Sequence, residues 1–196
     1  MIEIYTDGSC RASDGYSGGL GVYVPAWDIR LAVAQTNVTN NRMELGAIYL
    51  GMLVAFEHAN KGDSVCIVSD SRYSLDSVFT WWRGWERNGF KTKKGEVKNL
   101  TLLKSIQVVY RDLQQLGVKV TSRWVKGHSG DAGNEEADRL SNWRAPRMRG
   151  CYALAHPSPV LSDEPALLVS PIGFGTDLTE QDYYPLLDAL AASRCA

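Results

Sequence analysis

The chain of 196 residues is 44% hydrophobic and 22% charged with a formal net charge of −1, which suits a folded domain with a real core and room for an appendage. The amino terminus, "MIEIYTDGSC", lacks a basic stretch followed by an apolar run, and the longest apolar run, Leu45 to Phe56, falls short of the about 20 residues a spanning helix needs, so neither a secretory leader nor a membrane contact is expected. Cys10, Cys66, Cys151 and Cys195 form no Cys-x-x-Cys pair, which argues against a zinc knuckle and for a reduced, cytoplasmic protein.

Along the chain, "IEIYTDGS" alternates like a strand and stops at Gly8 and Ser9. "GGLGVYVPAW" and "RLAVAQTNV" read as two more strands joined as a hairpin by "DIR". A helix is expected from about Asn41 to Asn60. Its run "LGAIYLGMLVAF" is apolar on nearly all sides, the mark of a buried helix. "SVCIVSD" is a short apolar strand of the kind buried in a parallel sheet. Ser71 to Trp85 reads as helix, "RNGFKTKKGEV" as a basic loop, and Leu100 to Leu116 as a helix stopped by Gly117. "VKVTSRWV" is a strand with Val118, Val120, Ser122 and Trp124 on one face. After the Gly-rich "KGHSGDAG", "NEEADRLSNWRA" opens another helix, with Asn134 as its expected cap. An initial hairpin followed by alternating helices and strands implies an α/β fold, a mixed sheet covered by helices.

A composition change divides the chain near residue 150. Residues 1–150 hold 20 basic and 16 acidic side chains, a net of +4, while residues 151–196 hold one Arg and six acids, a net of −5. A basic body hints at a polyanionic partner. The expected organisation is a folded body over 1–147 and an acidic extension over 148–196, with a helix candidate at about Thr179 to Ser193.

Four acids stand where chemistry gathers. Asp7 ends the first strand and Asp70 ends "CIVSD", and in open α/β sheets sites form at the carboxyl ends of parallel strands. Glu44 in the first turn of the buried helix and Asp138 in the last helix complete the set. Four clustered carboxylates need compensation, because like charges repel and raise one another's pKa. An oxygen-only set favours Mg²⁺ or Mn²⁺, and two such ions about 4 Å apart suit phosphodiester hydrolysis. Each acid also has a plainer reading. Asp7 before Gly8 is ordinary turn chemistry, Asp70 before Ser71 is a helix cap, and Asp138 is a helix-surface acid. Asn41 and Glu44 have the spacing of a capping box.

The blocks "YTDGSC", "TNNRMEL", "SDSRY" and "VKGHSGDAGNEEADRLS", in that order and at those separations, resemble type I ribonuclease H of the bacterial kind, from Met1 to about Arg144. That resemblance implies a five-stranded mixed sheet flanked by helices. It implies an endonuclease that hydrolyses the RNA strand of RNA–DNA hybrids with two Mg²⁺ or Mn²⁺ ions, leaving 5′-phosphate and 3′-hydroxyl ends, and needing no small-molecule cofactor. By motif, Asp7, Glu44, Asp70 and Asp138 look like its metal ligands, and His128 like its proton-shuttling histidine. Asn40 and Asn41 look like minor-groove readers of 2′-hydroxyls, and Thr39 and Asn99 like parts of a DNA-phosphate pocket. "WWRGWERNGFKTKKGEVKN" resembles the basic handle, with Arg83, Arg87, Lys91, Lys93, Lys94 and Lys98 against two acids, and Trp81 and Trp85 as aromatic surface or as core anchors.

The chain departs from the family pattern at three places. "RASDGYSGG" replaces a Gly-Asn-Pro-Gly type loop, leaving Ser13 or Asp14 for its contact. Arg72 stands where glutamine is common, turning a groove contact into a charge contact. Asn37 stands where arginine often grips phosphate. The rival readings are a DNA-cutting enzyme on the same scaffold, a domain of a reverse transcriptase polyprotein, and a hybrid-binding module without catalysis. The extension has three readings: a packed structural element, an acidic competitor for the basic handle, or a protein-binding segment.

Overall fold

The computed structural model describes residues 1–11, 17–35, 38–142, 151–155 and 168–172, the last two as backbone only. The expectations for Ser13, Asp14, Asn37 and a helix at about 179–193 lie outside these residues.

Strands β1 (Ile2–Arg11), β2 (Ser17–Val24) and β3 (Ile29–Gln35) form an antiparallel meander. Strands β4 (Ser64–Ser69) and β7 (Lys119–Trp124) extend it in parallel on the other side of β1. These five strands, in the order β7-β4-β1-β2-β3, form the mixed five-stranded sheet that the resemblance implies. Two strands of the tail, β8 (Cys151–Ala155) and β9 (Leu168–Ile172), continue the sheet beyond β3. Helix α1 (Asn40–His58) packs on the sheet and is covered by α4 (Leu100–Gln115). This double cover explains its apolar circumference: every residue from Met43 to Ala55 is buried, while Phe56, beyond the cover, is 39% exposed. Helix α5 (Ala132–Ser141) packs on β1, β2 and β3.

Several local expectations shift. Strand β1 does not end at Gly8. Its parallel pairing with β4 stops at Tyr5, and it runs on to Arg11 against β2 alone. The β2–β3 link is Pro25–Trp27 plus Asp28, not "DIR": Pro25 opens a 3₁₀ turn, and Asp28, at φ 52°, reverses the chain. On β7 only the Val118–Val120 end of the expected face is buried, since Ser122 and Trp124 lie past the core and are exposed. The basic loop contains a small hairpin of β5 (Lys91–Thr92) and β6 (Gly95–Glu96).

The segment read as one helix has three parts: α2 (Arg72–Leu75), a π-helical stretch Asp76–Trp81, and α3 (Trp82–Arg87). The wider turn changes which side chains face inward. Trp82 becomes the buried anchor at 6% exposure, Trp85 packs half-buried at the core edge, and Trp81 stays 39% exposed. The buried Gln107 amide of α4 donates to the Val78 carbonyl at 2.8 Å, filling a backbone acceptor inside the π stretch.

Candidate active site

The β1–β4 register sets Tyr5 beside Val68, so two residues onward Asp7 is level with Asp70, just past the end of β4. Glu44 approaches from α1 because residue 8 is glycine. A Cβ at Gly8 would lie 2.1 Å from the Glu44 amide nitrogen, so only glycine admits the helix this close. Helix α5 approaches by the same device at Gly21, which pairs with Asp7 across β1–β2. A Cβ there would lie 2.2 Å from the Ala137 carbonyl oxygen and 2.6 Å from the Ser141 nitrogen.

These approaches bring one oxygen each of Asp7, Glu44 and Asp70 within 4.8 Å of one another. Asp138 is not in that triplet. It sits half-buried on α5, with its Oδ1 accepting from the Asn142 amide at 3.1 Å. The Ser141 hydroxyl donates to Asp7 Oδ2. Burial pushes the Asp7 carboxyl up to about 6; the Ser141 hydrogen bond opposes the rise, and the charges of Asp70 and Asp138 add to it. Burial, then repulsion from Asp7 and Asp70, holds Glu44 well above the usual carboxylate range. Glu44 Oε2 is buried with no hydrogen-bond partner among the described residues.

The plainer readings of two acids do not hold. The capping box is absent: α1 begins at Asn40 after Thr39, so Asn41 is the second helical residue and Glu44 lies beyond the first turn. The Asn40 amide, not a backbone cap, reaches Glu44 Oε1, at 3.4 Å. The cap of α2 is Ser71, whose hydroxyl accepts from the Ser74 amide, which leaves the Asp70 carboxylate to the cluster. Nor does Asn134 cap α5. Asp131 does, accepting from the amides of Gly133 and Asn134, because Asp131 has extended backbone while Asn134 is already inside the helix.

Of the expected substrate residues, Thr39, Asn40, Asn41, Arg72 and Trp81 are exposed and Asn99 is half-buried. Thr39 makes no side-chain cap bond, and Asn99 opens α4 in the left-handed conformation, φ 56°. A cavity of about 270 Å³ is lined by Asn99, Arg42 and Thr101, with Arg42 Nη2 lacking a partner among the described residues. His128 is exposed at φ 51°, one residue after Gly127, where a Cβ would meet Asp70 Oδ2 at 2.5 Å. That loop therefore passes directly over Asp70. The Trp124 indole N–H donates to the Asp70 carbonyl at 2.9 Å, while the Arg72 guanidinium lies 4.4 Å from the Trp124 ring centre. The sequence does not mark Trp124 or Ser141 as site residues, since neither residue type signals chemistry by itself. Only their one-turn or one-strand distance from an acid could have marked them.

The RNase H family model matches residues 1–145. The chain belongs to the ribonuclease H family. This makes it an enzyme of the ribonuclease H class. Among similar proteins is the ribonuclease H of Pseudomonas fluorescens, 36% identical over 152 residues, which span 76% of this chain and 93% of that one. The ribonuclease H of Ruthia magnifica is 39% identical over 145 residues, with 72% and 92% covered. The ribonuclease H of Methylorubrum extorquens is 38% identical over 139 residues, or 70% of this chain, but the match spans only 57% of that longer protein. Among solved structures, LC9-RNase H1, a type 1 RNase H with the type 2 active-site motif, superimposes with a TM-score of 0.59 at 31% identity, covering 71% of this chain and 69% of that one. The PFV RNase H domain, at 22% identity and a TM-score of 0.58, shares the fold over 71% of this chain and 91% of its own.

Proposed function

We propose that this ribonuclease H family member hydrolyses the RNA strand of RNA–DNA hybrids in the cytoplasm, using two Mg²⁺ or Mn²⁺ ions and leaving 5′-phosphate and 3′-hydroxyl ends. The observation that carries the reading is the triplet of Asp7, Glu44 and Asp70, with an orphaned Glu44 oxygen and two carboxyls whose pKa values are raised. An oxygen-only set under mutual repulsion, buried at Asp7 and Glu44 and half-buried at Asp70, fits hard divalent cations. Asp7, Glu44 and Asp70 would hold them, with Asp138 at the margin. When bound, the ions would supply activation of water and stabilisation of charge on the leaving oxygen.

The chain's own groups do the rest. His128, exposed one residue after the Gly127 that approaches Asp70, would exchange a proton at the edge of the cluster. Asn40 and Asn41 face the minor groove, where the 2′-hydroxyl distinguishes RNA. Thr39 and Asn99 would grip a DNA phosphate, and Arg72 and Trp81 would lie along the backbones. The test is cleavage of labelled hybrid, duplex RNA and duplex DNA with Mg²⁺. The hybrid alone should be cut, in its RNA strand; equal cutting of all three, or of none, rejects the substrate. Among the described residues no helix is long and apolar enough to cross a membrane.

A further inference from the structure

Ser141 lies at the last turn of α5 and is fully buried. Its hydroxyl oxygen contacts two groups of the site, donating to Asp7 Oδ2 and lying 2.9 Å from the Asp138 carbonyl oxygen. Its own carbonyl accepts from the Ser9 hydroxyl at 2.7 Å. Ser9 and Asp7 are two apart on β1 and so share the face that α5 covers. The next residue, Asn142, donates its amide to Asp138 Oδ1 at 3.1 Å and to the Asp138 carbonyl at 2.9 Å. Neighbouring side chains at one helix end thus hold the carboxylates of Asp7 and Asp138. Gly21 makes this possible, because any larger residue would lift α5 off the strand.

We propose that Ser141 is a positioning residue for the metal site: its hydroxyl fixes the rotation of the Asp7 carboxylate, and with Asn142 it makes the end of α5 the frame that spaces Asp7 from Asp138. The inference rests on the metal-dependent reading above. A carboxylate free to rotate must be ordered each time an ion binds, whereas one held by a hydrogen bond is ordered beforehand, and removing such an outer partner typically weakens metal affinity about 10–100-fold. If Ser141 only fastened α5 to β1, its loss would lower thermal stability and leave ion binding alone.

The experiment is calorimetric titration of the full chain with Mn²⁺, beside melting curves without metal. Ser141→Ala should raise the Mn²⁺ dissociation constant about tenfold or more, while hybrid binding in the absence of metal stays unchanged. Ser141→Cys, which keeps a weaker donor, should fall between the two, and serves if the alanine variant melts too low to titrate. Asn142→Ala should weaken Mn²⁺ binding through Asp138. Unchanged Mn²⁺ affinity in Ser141→Ala and Ser141→Cys overturns this inference alone. Failure of the unaltered protein to bind Mn²⁺ overturns the metal reading and this inference with it.

Discussion

Glu44 holds a carboxylate with one oxygen on the Asn40 amide and the other buried without a partner among the described residues. An acid so placed costs stability whenever it is ionised without a cation. Glu44→Gln keeps the shape and removes the charge. Its melting temperature without metal at pH 7 should equal or exceed that of the unaltered chain, while hybrid cleavage falls at least a hundredfold. Asp70→Asn should likewise lose turnover with a native circular dichroism spectrum. The pH dependence follows from Asp7. Its folded pKa of about 6 lies above the ordinary value of 3.8, so the folded state binds the extra proton between them. Stability from this group is full below about pH 4 and is lost as pH rises through about 6. Metal-free melting temperature should therefore fall from pH 4 to pH 7, and the rise on adding Mg²⁺ should be larger at pH 7.5 than at pH 5. A flat metal-free profile with equal Mg²⁺ shifts would contradict the assignment.

At the level of elements, the site depends on how closely helices meet strands. Gly8→Ala would drive a methyl into the backbone of α1 at Glu44. It should cost about 1–3 kcal/mol in denaturant unfolding, with activity falling more steeply than stability because Glu44 moves away from Asp7 and Asp70. On the opposite rim, the loop after β4 is tied down by Trp124, whose indole N–H and the Arg72 amide both donate to the Asp70 carbonyl. The Arg72 side chain lies over the same ring. Arg72→Ala should raise KM for hybrid with a small change in kcat, and reduce the salt slope of binding by about one if Arg72 meets a phosphate. A fall in kcat with unchanged KM would instead place Arg72 in the chemistry.

At the scale of the whole molecule, two described strands of the tail, β8 and β9, extend the sheet. β8 pairs with β3 from Leu31↔Ala155 to Gln35↔Cys151, covering a sheet edge that would otherwise be open. The packed-element and acidic-competitor readings of the extension predict different results on truncation. A chain ending at Gly150 should melt several degrees lower and keep its affinity for hybrid. A salt-dependent gain in affinity at unchanged melting temperature would favour the competitor instead.

The sequence determined the order of the five main strands and of the helices α1, α4 and α5, because the alternation of β1, the apolar run of β4 and the all-round apolarity of α1 are local patterns fixed by side-chain period and burial. It also singled out Asp7, Glu44, Asp70 and Asp138, since their motif context is written in contiguous residues. The tertiary structure decided what no contiguous stretch encodes. The spacing of Asn41 and Glu44 fits a capping box, but α1 begins at Asn40 with Thr39 before it, so neither residue stands at the capping position. Periodicity did not mark the π turn or Trp82 as the buried anchor; the turn carries an acceptor, the Val78 carbonyl, that Gln107 from another helix fills. The grouping of Asp7, Glu44 and Asp70 apart from Asp138, with Ser141 and Asn142 behind the two on β1 and α5, arises only where helix and strand backbones nearly touch. That contact depends on residues more than a hundred positions apart, such as Gly21 and Ser141.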